Sequence, residues 1–340
     1  METLLLRDRP EDIQRAGDIL RRGGLVAIPT ETVYGLAANA LDPAAVVRIF
    51  AVKGRPQDNP LIVHIADVEE LTTDIAVMDD RTRRLADTFW PGPLTLVLPR
   101  GSALPDVTTA GLDSVGVRVP AHEAARAVIR AAGVPVAAPS ANQSGSPSPT
   151  TAQHCMDDLS GRVEAILDGG ACEVGIESTV LSLTGDIPVV LRPGAVTAEA
   201  VSRALGGVSV ALAPSIFEPV HEGETVASPG MKYRHYAPRV HLALIKSDFA
   251  AFADYIKRVP EGSGALVFEG EAEGLAIPAT TYGRRGDPES QAGQLFDALR
   301  HLDDMGVQRV FVRAPDTSGI GLGVYNRLLR AASFEVIELV

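Results

Sequence analysis

Lys53-Gly54-Arg55-Pro56-Gln57-Asp58-Asn59-Pro60-Leu61-Ile62-Val63-His64 joins a helical pattern to a strand, and its reading decides the fold class. Lys53 and Arg55 flank Gly54 and precede Pro56, so the segment is a shaped turn and not a solvated helix face. Pro60 opens Leu61-Ile62-Val63, a short apolar run that reads as a buried strand. An ammonium and a planar guanidinium on a rigid turn at a strand edge suit a polyphosphate. Two solvated loop cations are the alternative.

Upstream, Leu25-Val26-Ala27-Ile28 reads as a second buried strand. It runs into Pro29-Thr30-Glu31-Thr32-Val33-Tyr34-Gly35-Leu36, where hydroxyls, a carboxylate and a phenol crowd the strand end. That placement suits ligand contacts at the carboxyl end of a strand, or an ordinary capped turn. Asp42-Pro43 is a helix start, with Asp as N-cap and Pro first in the helix. Val46, Val47, Ile49 and Phe50 give that helix an apolar side and deliver the chain to Lys53. Strand, loop, helix, loop, strand is the grammar of an α/β domain.

Downstream, helical patterns cover 68–78 and 81–89, and Trp90-Pro91-Gly92-Pro93 stops the second. Strands fit 94–98 and 115–119. Arg118 is a charge inside the second strand, to be met by an ion pair or by a ligand, because an unpaired buried cation is costly. Ser114 is a turn residue or a ligand contact. A helix over 122–132 and a strand over 134–138 lead into the Ser/Pro/Gly-rich stretch 139–149, and a helix resumes at 150–159. Ser148-Pro149 has the form of an N-cap. A strand at 165–167 follows, then one after Gly175, which Gly185-Asp186 turns back into 188–192, and a helix over 197–205. Arg192 repeats the theme of Arg118: a cation ending an apolar strand, beside Pro193-Gly194.

Residues 213–239 break the pattern with Pro214, Pro219, Pro229 and Pro238, and read as a linker. Within it, Lys232, Arg234 and His235 interleave with Tyr233 and Tyr236, a composition a passive tether does not need. RNA contact or folding back over an anionic ligand would use it. The βα rhythm restarts at 240, with strands at 240–245, 265–268, 309–312 and 335–339 and helices at 248–259, 289–305 and 324–332. Gly319-Ile320-Gly321-Leu322-Gly323 lacks the dinucleotide spacing and reads as a tight turn before the last helix.

At 340 residues the chain predicts two domains. A net charge of −12 argues against broad nucleic-acid or anionic-membrane binding. There is no apolar run of about 18 residues, so no membrane span is expected. The first seven residues read as a strand and not as a signal peptide. Cys155 and Cys172 have no metal spacing, which argues against a disulfide framework or zinc site and fits a reducing, cytoplasmic setting.

Five of these stretches together resemble the Sua5/YrdC family of L-threonylcarbamoyladenylate synthases. They are 29–36, 53–64, Pro139-Ser140-Ala141-Asn142, Glu177-Ser178-Thr179 and Leu191-Arg192-Pro193-Gly194. The resemblance implies an α/β fold: a YrdC-like twisted α/β catalytic domain over 1–212, a linker and possible lid over 213–239, and a smaller Rossmann-like α/β domain over 240–340. It implies a nucleotidyltransferase that converts L-threonine, bicarbonate or CO2, and ATP into L-threonylcarbamoyladenylate and pyrophosphate. Separate threonylcarbamoyl-transfer proteins would pass the group to tRNAs reading ANN codons, so direct tRNA binding is not required. By resemblance Lys53, Arg55 and Asn59 hold the triphosphate, with Lys53 and Arg55 catalytic. Ser114, Ser140, Asn142, Ser148 and Arg192 complete the nucleotide site. Thr32, His64, Arg118, Ser178 and the main chain of Ala138 form the threonine pocket. Tyr233, His235 and Tyr236 come from the linker. Mg²⁺ is expected with ATP, although no acidic cluster names its ligands. His64, following three apolar residues, is otherwise a core histidine. The competing expectations are an RNA-binding YrdC-like module and a related carbamoyltransferase. No zinc-finger cysteines or acylphosphatase-like stretch supports the latter.

Overall fold

The computed structural model describes residues 2–220 and 235–339. One sheet is built from β1 (Leu4–Arg7), β2 (Val26–Ile28), β3 (Gly35–Asn39), β4 (Ile62–His64), β5 (Leu94–Pro99), β6 (Ser114–Arg118), β7 (Val136–Ala137), β8 (Ala165–Asp168), β9 (Thr179–Ser182), β10 (Val189–Arg192) and β11 (Ala211–Leu212). With it go α1 (Pro10–Arg21), α2 (Pro43–Lys53), α3 (Asp80–Phe89), α4 (Asp106–Thr109), α5 (Glu123–Ala132), α6 (Ala152–Leu159) and α7 (Ala198–Ala204). A second sheet holds β12 (His241–Lys246), β13 (Ser263–Val267), β14 (Ala279–Thr281), β15 (Arg309–Arg313) and β16 (Val336–Glu338), with α8 (Phe249–Ile256), α9 (Pro288–His301) and α10 (Gly319–Ala331).

The first sheet is mixed, in the order β1-β8-β2-β3-β7-β4-β6-β5-β9-β10-β11. At its centre β4 runs parallel to β6 and antiparallel to β7, which sets His64 opposite Arg118 and Val63 opposite Ala137. Side chains alternate across a strand, so Ile62 and His64 share one face while Val63 enters the core on the other. The second sheet is parallel, in the order β14-β13-β15-β12-β16. The two lobes share apolar packing. Val33 and Ile176 of the first join Tyr236, Phe296 and Val324 in one cluster, and Leu322 of α10 packs in the core of the first lobe. Among the described residues no helix is long and apolar enough to cross a membrane.

Local signals account for α2. The Asp42 carboxylate accepts from the Ala44 amide at 2.9 Å, Pro43 begins the helix, and Gly54 ends it at φ +61°. Other expectations fail for tertiary reasons. The helix predicted over 68–78 is a single 3-10 turn, Val68–Glu70, followed by a second turn over 73–75 and an isolated bridge from Ala76 to Arg100. The hydrogen bonds that a helix would use go instead to 99–103: Val77 donates to Pro99, Gly101 to Ile75 and Ala103 to Asp74. β3 was hidden because Gly35-Leu36-Ala37-Ala38 carries no β-branched residue. The glycines at 319–323 are not a turn before the last helix; they form its first turns.

α1 and α5 cross at Gly17, where an added Cβ would come 2.6 Å from the Ala131 side chain and 2.7 Å from its backbone. Alanine ordinarily favours a helix by about 1 kcal/mol over glycine. Here Gly17→Ala should instead lower stability by about 1–3 kcal/mol through overpacking. Urea unfolding checks this, and a rise in the midpoint would contradict it.

Candidate active site

The polar face of the central strands, the β2–β3 loop, the 138–149 loop and the start of the second lobe close around a cavity of about 60 Å³. Its floor is Ile62, His64 and Arg118. The loop after β2 adds Thr30 and Thr32, so the strand-end placement expected from sequence holds for that loop, while the rest of the site spreads over the sheet face.

The turn after α2 forms one side. Lys53 is buried, and its Nζ donates to the main-chain carbonyls of Ser140 and Asn142. The Ser144 amide returns a bond to the Lys53 carbonyl at 2.9 Å. Burial, and then Arg55, push the ammonium down to about 7. The Arg55 guanidinium reaches the cavity and donates to the Pro60 carbonyl at 3.2 Å. The Asn59 side-chain amide is buried without a hydrogen bond among the described residues, which leaves a donor and an acceptor for a ligand. The 140–146 loop holds its own shape. Ser140 Oγ donates to Asn142 Oδ1 at 2.6 Å, and Asn142 Nδ2 donates to the carbonyls of Gln143 and Ser146.

Arg118 and Arg192 make the opposite side. Arg118 donates to Thr32 Oγ1 at 2.9 Å and to the Gly92 carbonyl at 3.2 Å. Its Nη2 lies 2.7 Å from Glu31 Oε1, an ion pair too misaligned to count as a hydrogen bond. The ion pair that the sequence left open is therefore present. Arg192 donates through Nε to the Ser178 carbonyl at 3.1 Å and through Nη2 to its hydroxyl at 3.2 Å. Ser178 Oγ also shares a hydrogen bond with Thr95 Oγ1 at 2.8 Å. His64 sits between these cations, with Nδ1 at 3.2 Å from the Ile62 carbonyl. Burial, and then Arg118, push it down to about 3, so the imidazole is neutral across the physiological range.

His235 and Tyr236 close the cavity from the second lobe's side. Tyr236 adopts φ +63° and packs 5.3 Å from the Phe296 ring of α9. His235 Nε2 is buried without a partner among the described residues. Burial and the neighbouring cations, Arg55 first, push this histidine down to about 3 as well.

The cavity is thus lined by Thr32, Arg55, His64, Arg118, Ala138, Ser140, Asn142, Ser178, Arg192, His235 and Tyr236 of the expected residues. Lys53 and Asn59 are buried beside it and do not line it. Ser148 is no helix cap: Thr151 caps α6, and Ser148 Oγ donates to Glu177 Oε1 at 2.5 Å behind the cavity wall. Ser114 begins β6, four residues before Arg118, and is also outside the lining. Tyr233, and the 221–234 part of the expected linker and lid, lie outside the described residues. Thr30, Ser146 and Glu177 line the cavity without having been assigned roles from sequence. For Glu177 the signal was available: an acid beside a buried strand invites the same question as Arg118. Among the described residues no group of three or more His, Cys, Asp or Glu is arranged to hold a metal ion.

A mixed-sheet α/β lobe that gathers buried cations and hydroxyls on one face, closed by a parallel α/β lobe, defines a class of protein suited to anionic small molecules. Comparison with known proteins narrows the class. Residues 18–194 match the family model described as telomere recombination (Sua5, YciO and YrdC), and 196–333 match that of the threonylcarbamoyl-AMP synthase C-terminal domain. A threonylcarbamoyl-AMP synthase of Pyrococcus abyssi is 43% identical over 98% of both chains. One of Bacillus subtilis is 43% identical over 96% of this chain and 94% of its own. The crystal structure of P. abyssi Sua5 complexed with L-threonine superposes with a TM-score of 0.92 at 41% identity, covering all of both chains. The chain belongs to the threonylcarbamoyl-AMP synthase family, in its two-domain Sua5 form.

Because His64 is neutral when folded and ordinary when unfolded, the unfolded chain binds its proton first as pH falls. Stability is then lost below about pH 6.5. The His64 ring resonances should stay fixed from neutral pH to the onset of acid unfolding, and His64→Asn should flatten the acid limb of the stability profile. Titration of the ring in the neutral range would contradict this.

Proposed function

We propose that this chain forms L-threonylcarbamoyladenylate and pyrophosphate from L-threonine, CO2 or bicarbonate, and Mg·ATP. The observation that carries the reading is one small cavity lined by Arg55 on one side and by Arg118, Ser178 and neutral His64 on the other, in a chain similar along its whole length to synthases of that name. Threonine's amine adds to CO2 and loses a proton, giving a carbamate. A carbamate oxygen attacks the α-phosphorus, and pyrophosphate departs. No covalent bond to the protein forms, so the protein positions reactants, offsets charge and excludes water.

In this reading Lys53, Arg55 and the unpaired amide of Asn59 face the triphosphate, and the 140–146 loop and Arg192 face the rest of the nucleotide. Arg118 offers its guanidinium to the threonine carboxylate, with Thr32, Ser178 and the main chain of Ala138 beside it. Mg²⁺ enters with ATP as part of the substrate. The division into 1–212, 213–239 and 240–340 is supported by the strands, which fall between Leu4 and Leu212 in one sheet and between His241 and Glu338 in the other. A cytoplasmic location agrees with two buried, unpaired cysteines. Separate proteins would carry the threonylcarbamoyl group on to tRNA.

Mass spectrometry of the nucleotide product tests the reaction. Pyrophosphate release should need threonine and bicarbonate together. ATP consumption indifferent to threonine would contradict the reading, and use of carbamoyl phosphate in place of both would favour the related carbamoyltransferases.

Arg118→Ala should weaken threonine binding about 10- to 100-fold, the worth of a hydrogen bond to a charged group, and ATP binding far less. Isothermal titration of each ligand decides it. Lys53 makes a second test. A triphosphate beside an ammonium held near pH 7 draws it back to the charged form, so ATP binding at pH 8 should take up protons. Calorimetry in buffers of differing ionisation enthalpy measures that uptake, which Lys53→Met should abolish.

A further inference from the structure

We propose that Arg327, on α10 of the second lobe, is a positioning residue for the active site in the first. It rests on the reading of that cavity as the synthase site. The Arg327 side chain is fully buried. Its Nε lies 2.9 Å from Glu177 Oε2, its Nη2 donates to the Glu177 carbonyl at 3.0 Å, and its Nη1 donates to the Pro193 carbonyl. Glu177 immediately precedes Ser178, and Pro193 immediately follows Arg192. One guanidinium therefore ties together the two chain segments that carry Ser178 and Arg192 into the cavity. Its Cζ also lies 5.9 Å from the Tyr236 ring centroid.

The rest of α10 is shaped for this approach. A Cβ on Gly323 would come 2.9 Å from Ile176 Cδ1 and 3.2 Å from the Gly194 Cα, so glycine there lets the helix lie against the Pro193-Gly194 backbone without pushing either aside. One turn on, Asn326 Nδ2 donates to the Ile216 carbonyl at 2.8 Å and Arg330 to that of Ser215 at 2.7 Å. Docking thus accounts for Gly323, the last glycine of the Gly319–Gly323 pattern.

Chemistry makes the contact necessary. Glu177 is buried, with one oxygen on Ser148 and the other on Arg327. Burial works to raise its pKa, yet Arg327 and then Arg192 hold it below the usual carboxylate range. Without Arg327 the carboxylate is left with Arg192, which already serves Ser178. Glu177 would then either pick up a proton or pull that guanidinium away from the site. Arg327 in this way supports the active site without lining its cavity.

The test compares full-length wild type with Arg327→Met, Arg327→Lys and the Glu177→Gln/Arg327→Met pair. Pyrophosphate release with threonine, bicarbonate and ATP is measured below each chain's melting transition. Arg327→Met should lose about 10²-fold in kcat/KM, the scale of a misplaced catalytic group. Arg327→Lys keeps the charge but not the fork and should recover part of that loss. The pair removes both charges, so it should exceed Arg327→Met yet stay about tenfold or more below wild type, since the tie to Pro193 is still missing. Where Arg327→Met does not fold, the folded pair decides by the same shortfall. Wild-type kcat/KM in Arg327→Met or in the pair, whatever the melting temperature, would reduce Arg327 to a fastener between lobes and overturn the proposal. Wild type without threonylcarbamoyladenylate overturns the reading of the site itself, whereas wild type that works beside an equally active Arg327→Met overturns only the inference.

Discussion

A charge taken out of water has to be paired, and the architecture of both lobes follows from how that is done. Arg118 faces Glu31, Arg327 faces Glu177, and Arg313 faces Glu271, each pair buried. Removing one member of such a pair costs about 3–5 kcal/mol, because the partner is left charged and dry. The three differ in what they leave over. Arg313 grips both oxygens of Glu271 at 3.1 Å, adds the Ser247 carbonyl and lies within 6.0 Å of three phenylalanine rings. That arrangement occupies the carboxyl end of β15, where a parallel sheet of this kind commonly receives a ligand. In the second lobe that position is filled by the protein's own side chains. Arg118 is less committed: its guanidinium meets Glu31 out of alignment and lines the cavity.

The cavity gathers positive charge in a chain whose net charge is −12. Arg55, Arg118 and Arg192 supply it, while His64 and His235 are held neutral by the same burial that surrounds them with cations. The separation suits the chemistry. Fixed guanidinium groups suit the anionic ends of such substrates, and neutral imidazoles remain able to accept or donate a hydrogen bond without adding a further charge. Lys53 sits between these roles. Its ammonium is tied to two carbonyls of the 140–142 segment, so it shapes the loop while it contributes charge.

Local chemistry made much of this legible in one dimension. Asp42-Pro43 and Gly54 delimit α2, the short apolar runs are strands, Trp90-Pro91-Gly92-Pro93 ends α3, and the breaks at Arg118 and Arg192 are buried cations, because each is set by forces acting within a few residues. Composition and motif order also separated a catalytic lobe from a second βα lobe. Tertiary structure alone decided the remainder. The segment 68–78 has helical spacing but spends its hydrogen bonds on 99–103. Ser148 has the sequence of a cap but serves Glu177. Gly319–Gly323 has the look of a turn but opens a helix whose Gly323 packs against Gly194, and Arg327 sits 150 residues from the carboxylate that it neutralises. The physical reason is common to all four: hydrogen-bond partners, counter-ions and close backbone contacts are assigned by proximity in space, and no local propensity carries that information.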